Sequence, residues 1–578
     1  MSEFILDKIK FKTVTENRLS HESIEKTKDG EISEYTLRLK MAETASPKMY
    51  SIIWEQDQID MLAFWSSKSC HDHHMTPDWW TRKEESRTAS GMPLISIFNK
   101  KNENRVTVSL SDPLIPCTLQ AGIVEENGTV MFKIDLFSKI CAQMSEYELV
   151  IRIDERCVSL ARAISDVRDW WSELGFKKAY VPRACTLPLY STWYSFHQHT
   201  IPDEIVEQCA IAKELGMDTV IVDDGWQTDD NSRGYAYCGD WKVSSAKIPS
   251  MRDFVDRIHG LGMKFMIWFS VPYMGFESKN YERFKGMYLK KNSRLNAYVL
   301  DPRFKEVRNF LVDTYASYVR EYGWDGLKLD FIDSFEETEE SSKDYGKMDC
   351  ISVEEGVRRL LDEVSAELKG INPEFMIEFR QSYIGPVVSQ YGNMFRVTDC
   401  PNDALTNRLY SLGMRLTCAE LPVHSDMIMW NEKDTPEAVC YQLLATMFCV
   451  PQISVKFDKI TAQQHAILKN HLDFWREHQE ILLNGELSIS DMEANCSMAR
   501  ASLGNESVTV LYQNVVAEYD GGEAFIFNST GADYIYIDSA LDASYEITDM
   551  LGNAKNGGKI KVGVNKIPLE NCARLKIT

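Results

Sequence analysis

Positive charge is scarce in this chain. The 64 Lys and Arg stand against 86 Asp and Glu, a formal net charge of −22. A nucleic acid or an anionic membrane surface requires a basic face, so neither is expected as a partner. Long apolar runs are missing too. Nothing approaches the roughly 18 consecutive apolar residues of a membrane span. The opening MSEFILDKIKFK spreads its charges evenly and has no apolar core of signal-peptide length. No CxxC pair occurs among the 14 cysteines, and Cys209, Cys418, Cys440 and Cys449 sit in apolar segments. That usage excludes a disulfide framework and points to buried thiols in a reduced, cytoplasmic protein. Internal repeats and low-complexity segments are also absent.

What is present is the composition of an ordinary globular chain, 44% hydrophobic and 26% charged. Its 578 residues exceed one core, and the length alone suggests about three or four domains. The 13 Trp and 25 Tyr suit packed cores, and equally suit a site where sugar rings stack on aromatic faces.

Hydrophobic period divides the chain in three. Residues 1–182 alternate with strand period in EYTLRLKMA (34–42), SIIWEQDQIDMLAFW (51–65), RVTVSLSD (105–112) and YELVIRIDE (147–155), which predicts an N-terminal β-sandwich. LARAISDVRDWWSELG (160–175) reads as its linker helix. Over 183–483 strands and helices alternate. Eight apolar runs, PLYSTWYSF, TVIVDDGW, KFMIWFSV, GLKLDFI, FMIEFRQS, MFRVTDC, LPVHSDMI and QISVKF, are separated by helical segments such as KEVRNFLVDTYASYVREYG. That is the pattern of a central (β/α)8 TIM barrel. A doubly wound open sheet is the alternative; the glycine fingerprint that would support it is missing after the first strand. Residues 484–578 return to short alternating strands, read as a C-terminal antiparallel β-sandwich.

In such a barrel, chemistry sits at the C-terminal strand ends. The stretch WDGLKLDFID (324–333) carries Lys328 and Asp330 inside an apolar strand, costly to bury unless they are paired. Two residues apart, they point to one side. An ammonium beside a carboxylate keeps it ionised, as a glycosidase nucleophile must be. The other strand ends are also polar. The second has Asp223, Asp224, Trp226 and Gln227; the fifth Glu378, Arg380 and Gln381; the sixth Arg396 and Asp399; the seventh His424, Ser425 and Asp426; the first Trp193, Tyr194 and His197. One such Asp alone reads as a turn former or helix cap. A whole ring of polar ends suits a polyol ligand. The cluster CHDHH (70–74) invites a metal, but offers neither a clear fourth ligand nor helical spacing, and reads better as a loop near the barrel mouth. The following PDWW (77–80) would extend it as an aromatic wall.

VIVDDGWQ, GDWKVSSAKIP, GLKLDFI and FRVTD together resemble retaining α-galactosidases of glycoside hydrolase family 36, in clan D with families 27 and 31. The resemblance covers roughly 185–480, and the flanking sandwiches agree with it. It implies Asp330 as nucleophile and Asp399 as general acid and base. Asp223 and Asp224 would take the 4- and 6-hydroxyls of a galactose-type sugar. Trp226 and Trp193 would shape the apolar side of the pocket, with Trp241 near the mouth. Lys328 would contact hydroxyls and hold Asp330 ionised; Arg396 would reach the 2-hydroxyl or Asp399. Two segments depart from the family pattern. EFRQSYIGP replaces a Cys-x-x-Gly-Gly type of turn, so Arg380 and Gln381 stand on the sugar's C2 side. WFSVPYMG replaces Glu-Pro-Glu.

The expected activity is therefore release of terminal α-linked galactose by double displacement, with no metal or cofactor and a carbohydrate as partner. An N-acetylgalactosamine or anionic sugar, or transfer to a second sugar as in raffinose-type synthesis, are the alternatives. A sugar-binding scaffold on a decayed barrel is the non-enzyme reading. The family resemblance also implies a homo-oligomer.

Overall fold

The computed structural model describes residues 1–418 and 420–578. In the N-terminal part, burial follows sequence residue by residue. Along Ile9–Thr15, Ile9, Phe11 and Thr13 turn inward while Lys10 and Lys12 turn outward, the period-two pattern of a half-buried strand. Two six-stranded antiparallel sheets form. One runs from Ser2–Leu6 at its edge through Tyr50–Asp57 to Arg82–Ser86, the other from Leu19–Lys28 through Met144–Asp154 to Ala63–Ser66. Phe11, Leu37, Trp54, Phe132 and Ile151 fill the space between them. The run 51–65, read above as one strand, is divided. Tyr50–Asp57 joins the first sheet and Ala63–Ser66 the second. Residues 58–62 between them make the crossing, with Asp60 at φ 51°.

The linker helix Leu160–Glu173 starts on a Ser159 cap and buries Leu160, Ile164, Val167 and Trp171. The indole of Trp171 donates to the Leu110 carbonyl at 2.8 Å, tying sandwich to barrel.

The barrel strands are β1 (Leu189–Ser191), β2 (Thr219–Val222), β3 (Lys264–Ser270), β4 (Gly326–Asp330), β5 (Met376–Arg380), β6 (Met394–Arg396), β7 (Val423–His424) and β8 (Gln452–Ile453). They pair in parallel in the order β7-β6-β5-β4-β3-β2-β1-β8. Both β2 and β4 are buried along their full length, as expected of strands covered on both faces. The ladder between β7 and β8 is reduced to the bridges His424–Val450 and Ile428–Ile453, so the barrel is nearly closed. Helices cover the outside except between β5 and β6, where only a short 3-10 turn, Val388–Gln390, intervenes.

The strands are shorter than the apolar runs suggested. At the mouth the backbone leaves the ladder and donates to side chains. Asp223 N meets Thr192 Oγ1 at 3.0 Å, Cys400 N meets Asp426 Oδ2 at 2.7 Å, and Gln452 N meets Ser425 Oγ at 3.0 Å. Such bonds satisfy the amides without extending the sheet.

The C-terminal part has a seven-stranded and a three-stranded sheet. Most pairs are antiparallel; Glu506–Leu511 with Glu523–Asn528, and Val516–Tyr519 with Tyr534–Ser539, are parallel. Val508, Val510, Phe525 and Phe527 share the barrel's core cluster, so this layer is packed on the barrel. Among the described residues no helix is long and apolar enough to cross a membrane.

Candidate active site

Register places the polar side chains. In the parallel pairs Ser270 stands beside Asp330, Lys328 beside Glu378, and Arg380 beside Arg396. Asp330, at the last position of β4, is 7% exposed. Its Oδ1 accepts from Arg380 Nε at 2.9 Å, from the Phe331 amide at 2.9 Å and from the Tyr383 hydroxyl; its Oδ2 accepts from the Trp268 indole at 3.0 Å. Burial pushes this carboxyl up. Arg380, then Lys328, Tyr383 and Trp268 outweigh burial and hold it well below the usual carboxylate range.

This modifies the expectation for Lys328. It does lower Asp330, but its ammonium is bonded to Asp223 Oδ2 at 2.5 Å. The direct partner of Asp330 is Arg380, whose guanidinium also lies over the rings of Phe331 (5.3 Å) and Tyr383 (5.2 Å). Arg380 is therefore committed to a carboxylate of the protein and is not set out to read an anionic sugar. Gln381 is 3% exposed, and its amide donates to Ser67 O of the N-terminal sandwich at 3.1 Å. That bond docks the barrel on the sandwich, while Gln381 Oε1 is buried without a partner among the described residues.

Asp223 and Asp224 follow β2. The Asp224 carboxylate accepts from Gln227 and Gln198, both at 2.6 Å, and burial pushes it up to about 6. The turn needs Gly225: its φ is +118°, and a Cβ there would lie 2.5 Å from Gln198 Cα. That turn sends Trp226 backwards. It is fully buried between Trp241, Phe269, Tyr318 and Trp324, with its N–H on the Trp268 carbonyl at 2.8 Å. Trp241 is 1% exposed and reaches the site only by packing on Trp268. Neither forms a pocket wall, because both rings lie in the layer behind the strands. Trp193 is half-buried after β1, packed on His197 at 4.9 Å with Arg233 above it, and is open to a ligand.

Asp399 lies beyond β6 and its side chain is 51% exposed. Arg396 Nη2 bonds its Oδ1 at 2.8 Å. Burial in the mouth raises this carboxyl, but Arg396, Arg380 and Lys328 pull it below its ordinary value, while Asp330 opposes them. The two carboxyls thus share one field of cations and feel each other. Asp399 is therefore not raised in the free protein, because Arg396 is bonded to it.

Sequence reasoning missed Trp268 and Tyr383 as partners of Asp330, and Asp426 as the second partner of Arg396. Trp268 was accessible by parity, being two residues before Ser270 on an inward-facing strand. Tyr383 lies in an irregular turn, where no period predicts direction.

The histidine loop settles against the start of the helix Ala404–Cys418 without forming a metal cage. His71 Nε2 meets Thr406 Oγ1 at 2.8 Å, His73 is buried against Phe64 O, and His74 joins Asp72 and Arg82. No group of three ligating side chains is placed for a metal among the described residues. His424 is also structural, bonded to Cys185 O at 2.8 Å, and burial brings it down to about 4. A cavity of about 1170 Å³ lies on the barrel flank by the linker helix and is lined by none of the strand-end carboxylates.

Comparison with known proteins agrees with this geometry. Residues 180–378 match the Melibiase family. An α-galactosidase of Lactobacillus acidophilus is 31% identical over 151 residues, 25% of this chain and 19% of that protein. A bifunctional α-galactosidase/sucrose kinase of Mediterraneibacter gnavus is 34% identical over 137 residues, 22% and 14%. The matched stretch thus spans under a fifth of these relatives' length. In fold the likeness is wider. A family 36 α-galactosidase of Geobacillus stearothermophilus, solved with raffinose, superposes with TM-score 0.64 over 98% of this chain and 88% of its own, at 15% identity. The α-galactosidase of Lactobacillus brevis does so with TM-score 0.65 over 99% and 84%, at 13% identity. Residues 180–378 thus match the melibiase family, and the three-part architecture of the whole chain has the fold of the family 36 α-galactosidases.

Proposed function

We propose that this protein is a retaining exo-α-glycosidase that releases terminal α-linked galactose. The observation that carries the reading is the pair Asp330 and Asp399. One carboxylate is locked ionised at the base of the cup by Arg380, Tyr383 and Trp268; the other is open at its rim on Arg396. In the first step Asp330 attacks the anomeric carbon. The bond to the leaving oxygen breaks, and Asp399 gives that oxygen its proton. In the second, Asp399 takes a proton from water, whose oxygen attacks the same carbon; the ester bond breaks and Asp330 is restored. Two inversions leave the anomeric configuration unchanged.

Asp399 must be protonated in the first step and is lowered in the free protein. A sugar seated in the mouth strips water from this carboxyl, adding to the burial that already pushes it up. The Lys328–Asp223 pair, Asp224 and Trp193 are the groups we assign to the sugar's hydroxyls and apolar face. Arg380, neutralised by Asp330, gives no support to an anionic sugar.

Two further parts belong to this reading. Fourteen free cysteines, thirteen of them buried, suit a reducing cytoplasm. Trp79 and Trp80, 74% and 66% exposed on the N-terminal sandwich, suit an interface in a homo-oligomer, which light scattering tests. The activity is tested with nitrophenyl α-galactoside and NMR of the first-formed sugar. We expect α-galactose first, with turnover lost at least about 10⁴-fold in Asp330→Asn. Release of β-galactose would refute the double displacement.

A further inference from the structure

Asp426, just beyond β7, has no solvent exposure and no place in the two displacements. Yet it bonds every element around the acid. Its Oδ1 accepts from Arg396 Nη1. Its Oδ2 accepts from the amide of Cys400, the residue next to Asp399, at 2.7 Å, and from the Tyr194 hydroxyl at 2.9 Å. Its backbone is gripped on both sides by Asn407, whose Nδ2 donates to Asp426 O at 3.1 Å and whose Oδ1 accepts from Asp426 N at 3.0 Å.

Arg396 meanwhile serves three carboxylates. Nη1 is on Asp426, Nη2 on Asp399 at 2.8 Å, and Nε is 3.7 Å from Glu378 Oε1 with no hydrogen bond of its own. A guanidinium that already faces a buried carboxylate pulls less on a second one, since the two negative charges oppose each other in a weakly screened interior.

We propose that Asp426 is a positioning residue for the acid–base step: it aims Arg396 and the Cys400 backbone, and by taking part of the Arg396 charge it leaves Asp399 able to hold a proton. This rests on the reading of Asp399 as the acid. The charged and titratable groups facing Asp426 are Arg396, Asp399, Tyr194 and Cys400; those facing Asp399 are Arg396, Arg380, Lys328, Asp330, Asp426 and Tyr194. Burial raises Asp426 above its ordinary value and Asp399 adds to this, while Arg396, the Cys400 amide and the Tyr194 hydroxyl oppose it; the ion pair with Arg396 is what favours its charged form.

Asp426→Asn keeps the shape and removes the charge. The Arg396 charge then falls on Asp399, and the basic limb of the kcat profile, which reports the acid in the complex, moves down by about one pH unit. Turnover of an oligosaccharide α-galactoside at pH 7, which needs the proton, falls up to about 10-fold, while nitrophenyl α-galactoside, whose leaving group needs little, loses less than about 2-fold. Equal losses on both substrates with an unmoved limb would mean a merely structural residue and overturn the proposal. Tyr194→Phe removes a donor from Asp426, leaves more of its charge on Arg396, and moves the limb upward; if Asp426→Asn does not fold, this variant decides, and a still or falling limb overturns the proposal. Carbon-13 NMR titration of the Asp399 carboxyl, assigned by its loss in Asp399→Asn, reads the same coupling without substrate. A protein that turns over no α-galactoside would sink the enzymatic reading, while the NMR shift in Asp426→Asn would still decide the coupling.

Discussion

Replacing Arg380 by Gln tests the electrostatic core of the site. In the native protein the Asp330 carboxyl lies in a buried place that by itself favours the neutral acid, and Arg380 is the largest of the groups that reverse this. An opposite charge in direct contact moves a carboxyl by about 1–3 pKa units, or about 1.4–4 kcal/mol. Removing it leaves Lys328, Tyr383 and Trp268 against the same burial, so Asp330 rises toward an ordinary carboxylate. The sign follows. With its pKa depressed by folding, Asp330 adds stability above the pKa of the unfolded chain, and that stability is lost as pH falls through the lower native value. In Arg380→Gln this contribution vanishes, and melting at pH 7 comes at a lower temperature. Catalysis reports the same event. The acid limb of kcat/KM, set by ionisation of the nucleophile in the free enzyme, lies below the stable range in the native protein and climbs toward about pH 4 in the variant, the top of that shift. Nitrophenyl α-galactoside turnover between pH 3.5 and 8, normalised to folded protein, is the assay. Arg380→Lys restores the charge but not the stacking over Phe331 and Tyr383, and should return the limb most of the way. An acid limb unmoved in Arg380→Gln, with activity otherwise intact, would refute the claim that this guanidinium keeps Asp330 ionised.

Tyr383→Phe removes a hydrogen bond to the same carboxylate; such a bond to a charged group is worth about 1.5–3 kcal/mol, so kcat/KM should fall about 10- to 100-fold, with the acid limb shifted upward. Unchanged kinetics would place the hydroxyl outside the reaction. Trp226→Leu opens a hole in the aromatic layer behind β2 and β3, which should destabilise the protein by about 3 kcal/mol in urea unfolding while leaving KM of the folded fraction near its native value. A raised KM at undiminished stability would return this ring to the sugar pocket.

Much of the architecture was legible because it rests on period. Alternation in Ile9–Thr15 and apolar runs separated by helical segments over 183–483 depend on which face a residue presents, and that is a local property. The carboxylates at positions 223, 224, 330 and 399 were legible for a related reason. One charge at a strand end has ordinary structural uses, but several ending neighbouring strands together have few, and the C-terminal ends of parallel strands converge. Legibility failed at turns. Trp226 is only three residues from Asp223, yet the positive φ of Gly225 turns it to the opposite side of the strand layer. Gln381, adjacent to Arg380, leaves the barrel altogether for Ser67.

The pairing of charges was decided by the tertiary structure alone. Spacing in β4 put Lys328 and Asp330 on one side of a strand, and the sequence could go no further, since every cation within reach of a carboxylate competes for it. The three-dimensional answer gives Lys328 to Asp223, Arg380 to Asp330, and Arg396 to Asp399 and Asp426 together. These partners are 105, 50, 3 and 30 residues apart in the chain. Strand order and side-chain packing, which no local pattern encodes, bring them within hydrogen-bonding distance. Which residues carry charge is written in the chain; which charge faces which is a property of the closed barrel, because Coulomb energy depends on distance in space and not on separation in sequence.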